Sequence, residues 1–159
     1  MHIPAAAVEF IEKNGRYIKK GCIVADTSGI KSAICPQMTA LADKFGFTFV
    51  GSHPMAGKEK NGFDVSDATY SKAPASLPSR AGAPQAAVDT LTSLALSIGF
   101  GGVRITDPQE HDRMIAFTSQ LPHVLACAYV LSRSVKTTMG FPPGSYRDVS
   151  RVANIKCAA

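Results

Sequence analysis

Four groups of residues carry side chains able to move a proton or hold an anion. The first is Gly51 to Gly62, GSHPMAGKEKNG, where an apolar run, Phe45 to Val50, ends in a histidine, a proline, glycines and alternating charge. Imidazole titrates at about pH 6.5, so His53 is suited to proton transfer near neutrality. Pro54 withdraws a backbone donor, and Gly57 and Gly62 permit unusual dihedrals, which predicts a shaped loop rather than a continuing strand. A His-Pro pair after a strand also serves as a plain structural turn, and spacing alone does not separate the two. The second group is Asp26-Thr27-Ser28-Gly29, at the end of another short apolar run. The third is His123, with Ser119 and Gln120 one turn earlier on the same helical face. A lone histidine on an apolar helix is more often a satisfied core residue. The fourth is Arg147, Asp148 and Arg151 in GSYRDVSRVAN. Arg151 could present a planar fork to a carboxylate, although an exposed arginine is the commoner outcome.

The elements that must position these residues are legible in the periodicity. Ala5, Val8 and Ile11 predict a helix that Asn14-Gly15 closes, and Cys22 to Ala25 predicts a strand. Ile30, Ile34, Met38, Leu41 and Phe45 mark an amphipathic helix with Pro36 in its first turn or two. Loops at the carboxyl ends of parallel strands are where open α/β sheets bind ligands, so Asp26 to Lys31 and His53 to Lys60 are expected side by side. Asp64 to Gly82 lacks apolar alternation and predicts loop. Helix is predicted over Ala83 to Ile98, then a strand, Val103 to Thr106, at the edge of the same sheet. Asp107, Pro108 and Glu110 form a strong helix start. The helix runs to about Arg133, and Pro122 should kink it and free the carbonyl of Thr118. Its apolar residues cover more than one stripe, which predicts burial between partners.

The totals narrow the function classes. At 159 residues and 45% hydrophobic content the chain can form a core. No apolar run approaches the roughly 20 residues of a membrane span, and Met1 to Val8 is too short and lacks the basic flank of a signal peptide. No membrane association and a cytoplasmic location are therefore expected. Cys22, Cys35, Cys127 and Cys157 form no CxxC or Cys/His cluster, so no metal site is expected. The formal charge of +5 is spread over small groups such as Lys19-Lys20 and Lys58/Lys60, without interleaved aromatics, which argues against nucleic acid.

Together the motifs resemble one family, the prephenate/arogenate dehydrogenases of tyrosine biosynthesis. GSHPMAGKEKNG resembles its histidine loop, ITDPQEHDRMIAFTSQLPHVLA the helix that opens its second domain, and GSYRDVSRVAN its substrate-anion segment. GCIVADTSGIKSAI resembles the strand and loop beside the nicotinamide. Four blocks in order are far more specific than any one of them. The resemblance implies an α/β fold, with residues 1–106 as the C-terminal half of a Rossmann-like NAD(P)-binding domain. Residues 107–159 would then begin an all-helical dimerisation and substrate domain. It also implies NAD- or NADP-dependent oxidative decarboxylation of prephenate or arogenate by a homodimer. In that reading His53 is the catalytic base, His123, Arg151, Glu59 and Ser119 contact substrate, and Asp26 and Ser28 lie at the cofactor.

The departures are specific. No GxGxxG turn occurs in the sequence, so weak or no NAD(P) binding by this chain alone is expected, as from a fragment lacking the first half of the nucleotide domain and the later helices. Gly29 stands where many members carry a serine, Ser28 lies one place earlier, and Gln120 replaces a further histidine of many relatives. The competing expectation is a non-catalytic remnant serving as a helical association module. A histidine hydrolase is a distant third, because no GxSxG loop is present.

Overall fold

The computed structural model describes residues 4–55, 64, 75–77, 82–134 and 144–153. Part of the histidine loop, with Glu59, and the fourth cysteine, Cys157, lie outside them. The chain forms two compact units, divided between Arg113 and Met114.

The first unit opens with α1 (Pro4–Asn14), followed by β1 (Ile23–Ala25), α2 (Lys31–Phe45) and β2 (Thr48–Val50). β1 and β2 pair in parallel, Ile23 opposite Thr48 and Ala25 opposite Val50. The α2 crossover that parallel pairing demands is amphipathic as its spacing predicts: Ile34, Cys35, Met38, Leu41 and Ala42 are buried with Val8 and Ile11 of α1. Each fully buried large side chain of this cluster contributes about 1.5–3 kcal/mol. Gly46 ends α2 in the left-handed conformation (φ 81°), its N–H donating to the Ala42 carbonyl at 2.8 Å. The apolar run from Phe45 thus divides, with Phe45 closing the helix and only Thr48–Val50 in the strand.

His53 begins a second ladder instead of a loop. β3 (His53–Pro54) pairs antiparallel with β4 (Ala75–Leu77), which pairs in parallel with β5 (Val103–Ile105). One sheet was expected, and two ladders are found among the described residues. The break falls at Ser52, whose N–H donates to the Asp26 carboxylate at 3.0 Å rather than to a neighbouring strand. β4 corrects the expectation of loop over Asp64 to Gly82. Ala75-Ser76-Leu77 has little strand propensity of its own, and pairing on both sides supplies what the local sequence does not.

After α3 (Gln85–Ser97) and β5, α4 (Pro108–Ile115) starts as its residues dictate, with the Glu110 N–H donating to Asp107 Oδ1 at 2.8 Å. The Glu110 side chain does not return to the cap. It accepts from the Thr106 hydroxyl and faces Arg104.

In the second unit a π-helical turn, Ala116–Gln120, leads into α5 (Leu121–Leu131). The Leu121 N–H reaches back to the Ala116 carbonyl, so the irregularity expected at Pro122 is taken up as a widened turn before it. Pro122 itself sits in the first turn of α5. The GSYRDVSR segment is helical, α6 (Gly144–Arg151). Tyr129 and Tyr146 pack with tilted rings 5.2 Å apart between centroids, beside an open groove of about 520 Å³ lined by Leu125, Ala128, Ser132 and Val149. In the single chain the long helix keeps apolar side chains exposed, available to a partner. Phe117 is 71% exposed, Val124 62% and Leu131 82%.

The helical run Pro108–Leu131 has 24 residues, and its most apolar stretch has a mean hydropathy of 1.4, so by length and composition it could cross a bilayer. This corrects the expectation that nothing approaches a span. Thr118, Ser119, Gln120 and His123 interrupt the apolar run, but no charge falls between Met114 and Leu131.

Candidate active site

Asp26 joins the two strand-end loops of the first unit. It follows β1 directly, and one carboxylate oxygen accepts the Ser28 N–H at 2.9 Å while also pairing with the Lys31 ammonium. The other accepts the Ser52 N–H, two residues past β2, and the Ser52 hydroxyl donates to the Asp26 carbonyl. One side chain therefore fixes both loops at the carboxyl ends of the parallel strands, where ligands of α/β folds bind. Lys31 is 0% exposed. Burial pushes its pKa below the ordinary lysine value, and the charge of Asp26 opposes that shift.

His53 follows Ser52 and inherits its position. Nδ1 lies 3.0 Å from Nε2 of His111, with the rings edge-to-face at 5.2 Å. His111 is 2% exposed, and its own Nδ1 lies 2.8 Å from Oδ1 of Asp112. Asp112 in turn accepts the backbone N–H groups of Lys31 and Ser32, each at 2.8 Å. Burial raises the Asp112 carboxyl, but the hydrogen bonds from Lys31, Ser32 and His111 outweigh it and hold the group below its ordinary value.

Burial, then His111, then the Lys31 cation lower the His53 pKa to about 4. The imidazole is therefore neutral at pH 7 and able to accept a proton. Its Nε2 edge faces Gly29, where an added Cβ would lie 3.9 Å from Nε2, and Nε2 makes no hydrogen bond among the described residues. A Cβ there would make ordinary van der Waals contact with the ring.

Asp26, Ser28 and His53 are thus brought together in the first unit. Ser28 is buried, and the Asp26 oxygens are committed to internal partners. His123, Ser119 and Arg151 belong to the second unit. There His123 Nδ1 donates to the Ser119 carbonyl at 2.6 Å, across the π-helical turn, and Arg151 ends α6 with its side chain exposed. Glu59 lies outside the described residues. Sequence reasoning did not single out Lys31, His111 or Asp112. The signal for the last two was a His-Asp pair in the first turns of a well-capped helix, quoted within a motif but not read as chemistry.

These features define a class: a Rossmann-like α/β unit with a part-buried histidine just past its second parallel strand, followed in the chain by helices. Residues 2–101 match the nucleotide-binding domain of prephenate dehydrogenase, and residues 107–157 match its dimerization domain. The chain belongs to the prephenate dehydrogenase family. It is 32% identical to the cyclohexadienyl dehydrogenase of Zymomonas mobilis over 86% of its length, and 27% identical to the prephenate dehydrogenase of Lactococcus lactis over 86%. It spans 48% and 38% of those two proteins, about half or less. The fold is shared with the prephenate dehydrogenase of A. aeolicus, solved with hydroxyphenyl propionate and NAD+. The TM-score is 0.79 at 23% identity, covering 96% of this chain and 54% of that one. A protein from Corynebacterium glutamicum described as a putative prephenate dehydrogenase gives the same TM-score, covering 96% of this chain and 50% of its own.

Proposed function

We propose that this chain forms part of an NAD(P)-dependent dehydrogenase that oxidatively decarboxylates prephenate or arogenate, with His53 as its base. The observation that carries the reading is a neutral, part-buried imidazole whose Nε2, without a hydrogen bond among the described residues, faces Gly29 in the loop after β1. Loss of hydride from a carbinol carbon leaves a developing C=O whose proton must go to a base. His53 accepts that proton at Nε2. Departure of carbon dioxide then makes the ring aromatic, so the protein's task is chiefly to position groups and stabilise charge.

The nicotinamide cofactor supplies the hydride acceptor when bound. The residues present fit its reactive end in one respect: Gly29 leaves space beside Nε2 that a larger side chain would occupy. Asp26 and Ser28 serve that end by shaping the loop through their hydrogen bond. His123, Arg151, Ser119 and Glu59 are assigned to the substrate on the strength of their motifs. The match of residues 107–157 to the family's dimerization domain supports this for the first three. Arg151 suits a carboxylate through its planar fork.

The same domain match, with the exposed Phe117, Val124 and Leu131, supports a homodimer as the assembled form. A second copy, rather than lipid, is then the cover for the apolar helix. A cytoplasmic location belongs to the same proposal, since free thiols such as buried Cys35 suit a reducing compartment.

The test is reduction of NAD or NADP by a protein carrying this sequence together with a complete nucleotide-binding half, supplied with prephenate or arogenate. Turnover of either substrate is expected. Failure of both with both cofactors would remove the proposal.

A further inference from the structure

We infer that His111 and Asp112 are positioning residues for His53: they lock its imidazole in the Nδ1–H tautomer and leave Nε2 as its only basic nitrogen. The inference rests on the reading of His53 as a base and goes beyond it by saying which atom is basic and why. The chain of donors runs one way. A carboxylate can only accept, and Asp112 stays ionised because it also receives two backbone N–H groups from the start of α2. His111 must therefore donate through Nδ1, at 2.8 Å. With a single N–H on His111, spent on Asp112, its Nε2 is bare and can only accept. The partner 3.0 Å away, Nδ1 of His53, must then carry its proton. What remains on His53 is a lone pair at Nε2, on the edge that faces Gly29.

Each link is anchored. His111 is almost fully buried, so no water competes for its nitrogens, and Asp112 is held by main-chain groups of Lys31 and Ser32 rather than by mobile side chains. The arrangement holds a base by the logic of an Asp–His pair, extended by one imidazole. The free histidine side chain favours the opposite tautomer, Nε2–H, which would leave Nδ1 as the basic nitrogen.

Long-range proton–nitrogen correlation spectra of the isotope-labelled chain near neutral pH read the tautomer of each histidine directly. His53 is expected with a protonated Nδ1 and a bare Nε2, and His111 likewise. A His53 carrying its proton on Nε2 would overturn the inference. In His111→Leu, whose amide spectrum reports whether the fold is kept, the His53 signals should exchange to the Nε2–H pattern. An unchanged pattern there also counts against the lock. In His111→Gln the side-chain carbonyl can accept the same proton, so the parental pattern should survive, and its loss would contradict the inference. Turnover does not enter this readout. A locked tautomer together with full activity in His53→Ala would sink the base and leave the lock standing.

Discussion

The carboxylate of Asp112 accepts the backbone N–H of Lys31 at 2.8 Å, across 81 residues of sequence. The helix that Lys31 opens has no side-chain cap of its own at Ile30, and Asp112 supplies one from α4, taking the Ser32 N–H as well. The same carboxylate orients His111, so the start of α2, the start of α4 and the catalytic candidate His53 are tied to a single side chain.

Asp112→Ala should therefore remove both the cap of α2 and the partner of His111. Loss of the cap is expected to cost about 0.5–2 kcal/mol. Chemical denaturation measures that cost. A variant as stable as the parent would show that the two backbone bonds contribute nothing.

Asp26 and Lys31 form a buried ion pair, with side-chain exposures of 4% and 0%. Removing one partner of such a pair typically costs about 3–5 kcal/mol, because the other charge is left without compensation. Asp26→Ala should be the worse of the two single changes, since it also orphans the N–H groups of Ser28 and Ser52. Lys31→Met should be milder. The reverse order in urea unfolding would contradict the place given to Asp26 as the link between the loops.

His53 has a folded pKa of about 4 against an ordinary value of 6.5. Between those values the unfolded chain binds the proton and the folded chain does not. Stability from this group is therefore present above about pH 6.5 and is lost as pH falls from there through 4. The groups acting on it are His111 and Lys31, which lower its pKa, and Asp26 and Asp112, which raise it. A histidine titration followed by NMR should give His53 a midpoint far below the usual range. A midpoint near 6.5 would contradict the burial described here.

The exposed apolar residues of the 116–131 helical segment bear on assembly. Sedimentation at micromolar concentration is expected to show a dimer. A well-behaved monomer would contradict the homodimer proposal.

Much of this was legible in the sequence, for physical reasons that differ by element. The apolar spacing of Ile34, Met38 and Leu41 announced the buried face of α2, and Asp107-Pro108 announced the start of α4, because both depend on neighbours within two turns. β4 could not be read, since its pairing with β3 and β5 is not encoded in Ala75-Ser76-Leu77. The widened turn at Ala116–Gln120 was expected only as a kink at Pro122. The proline gave the place approximately, but not which carbonyl would change partner. In the candidate site, His53 and the Asp26 loop were legible from motif and strand ends. His111, 58 residues further on, was not, because only the packing of α4 against the start of α2 brings it to His53. Nor did the sequence reveal that Lys31, an ordinary lysine in composition, is the fully buried partner of Asp26.

Above all, the proposed dehydrogenase reaction requires His53 to take the proton. Its most direct test is the turnover of His53→Ala, with prephenate or arogenate, in a protein that carries this sequence and a complete nucleotide-binding half. There kcat is expected to fall by roughly two or more orders of magnitude while the fold is retained. Undiminished turnover would contradict it.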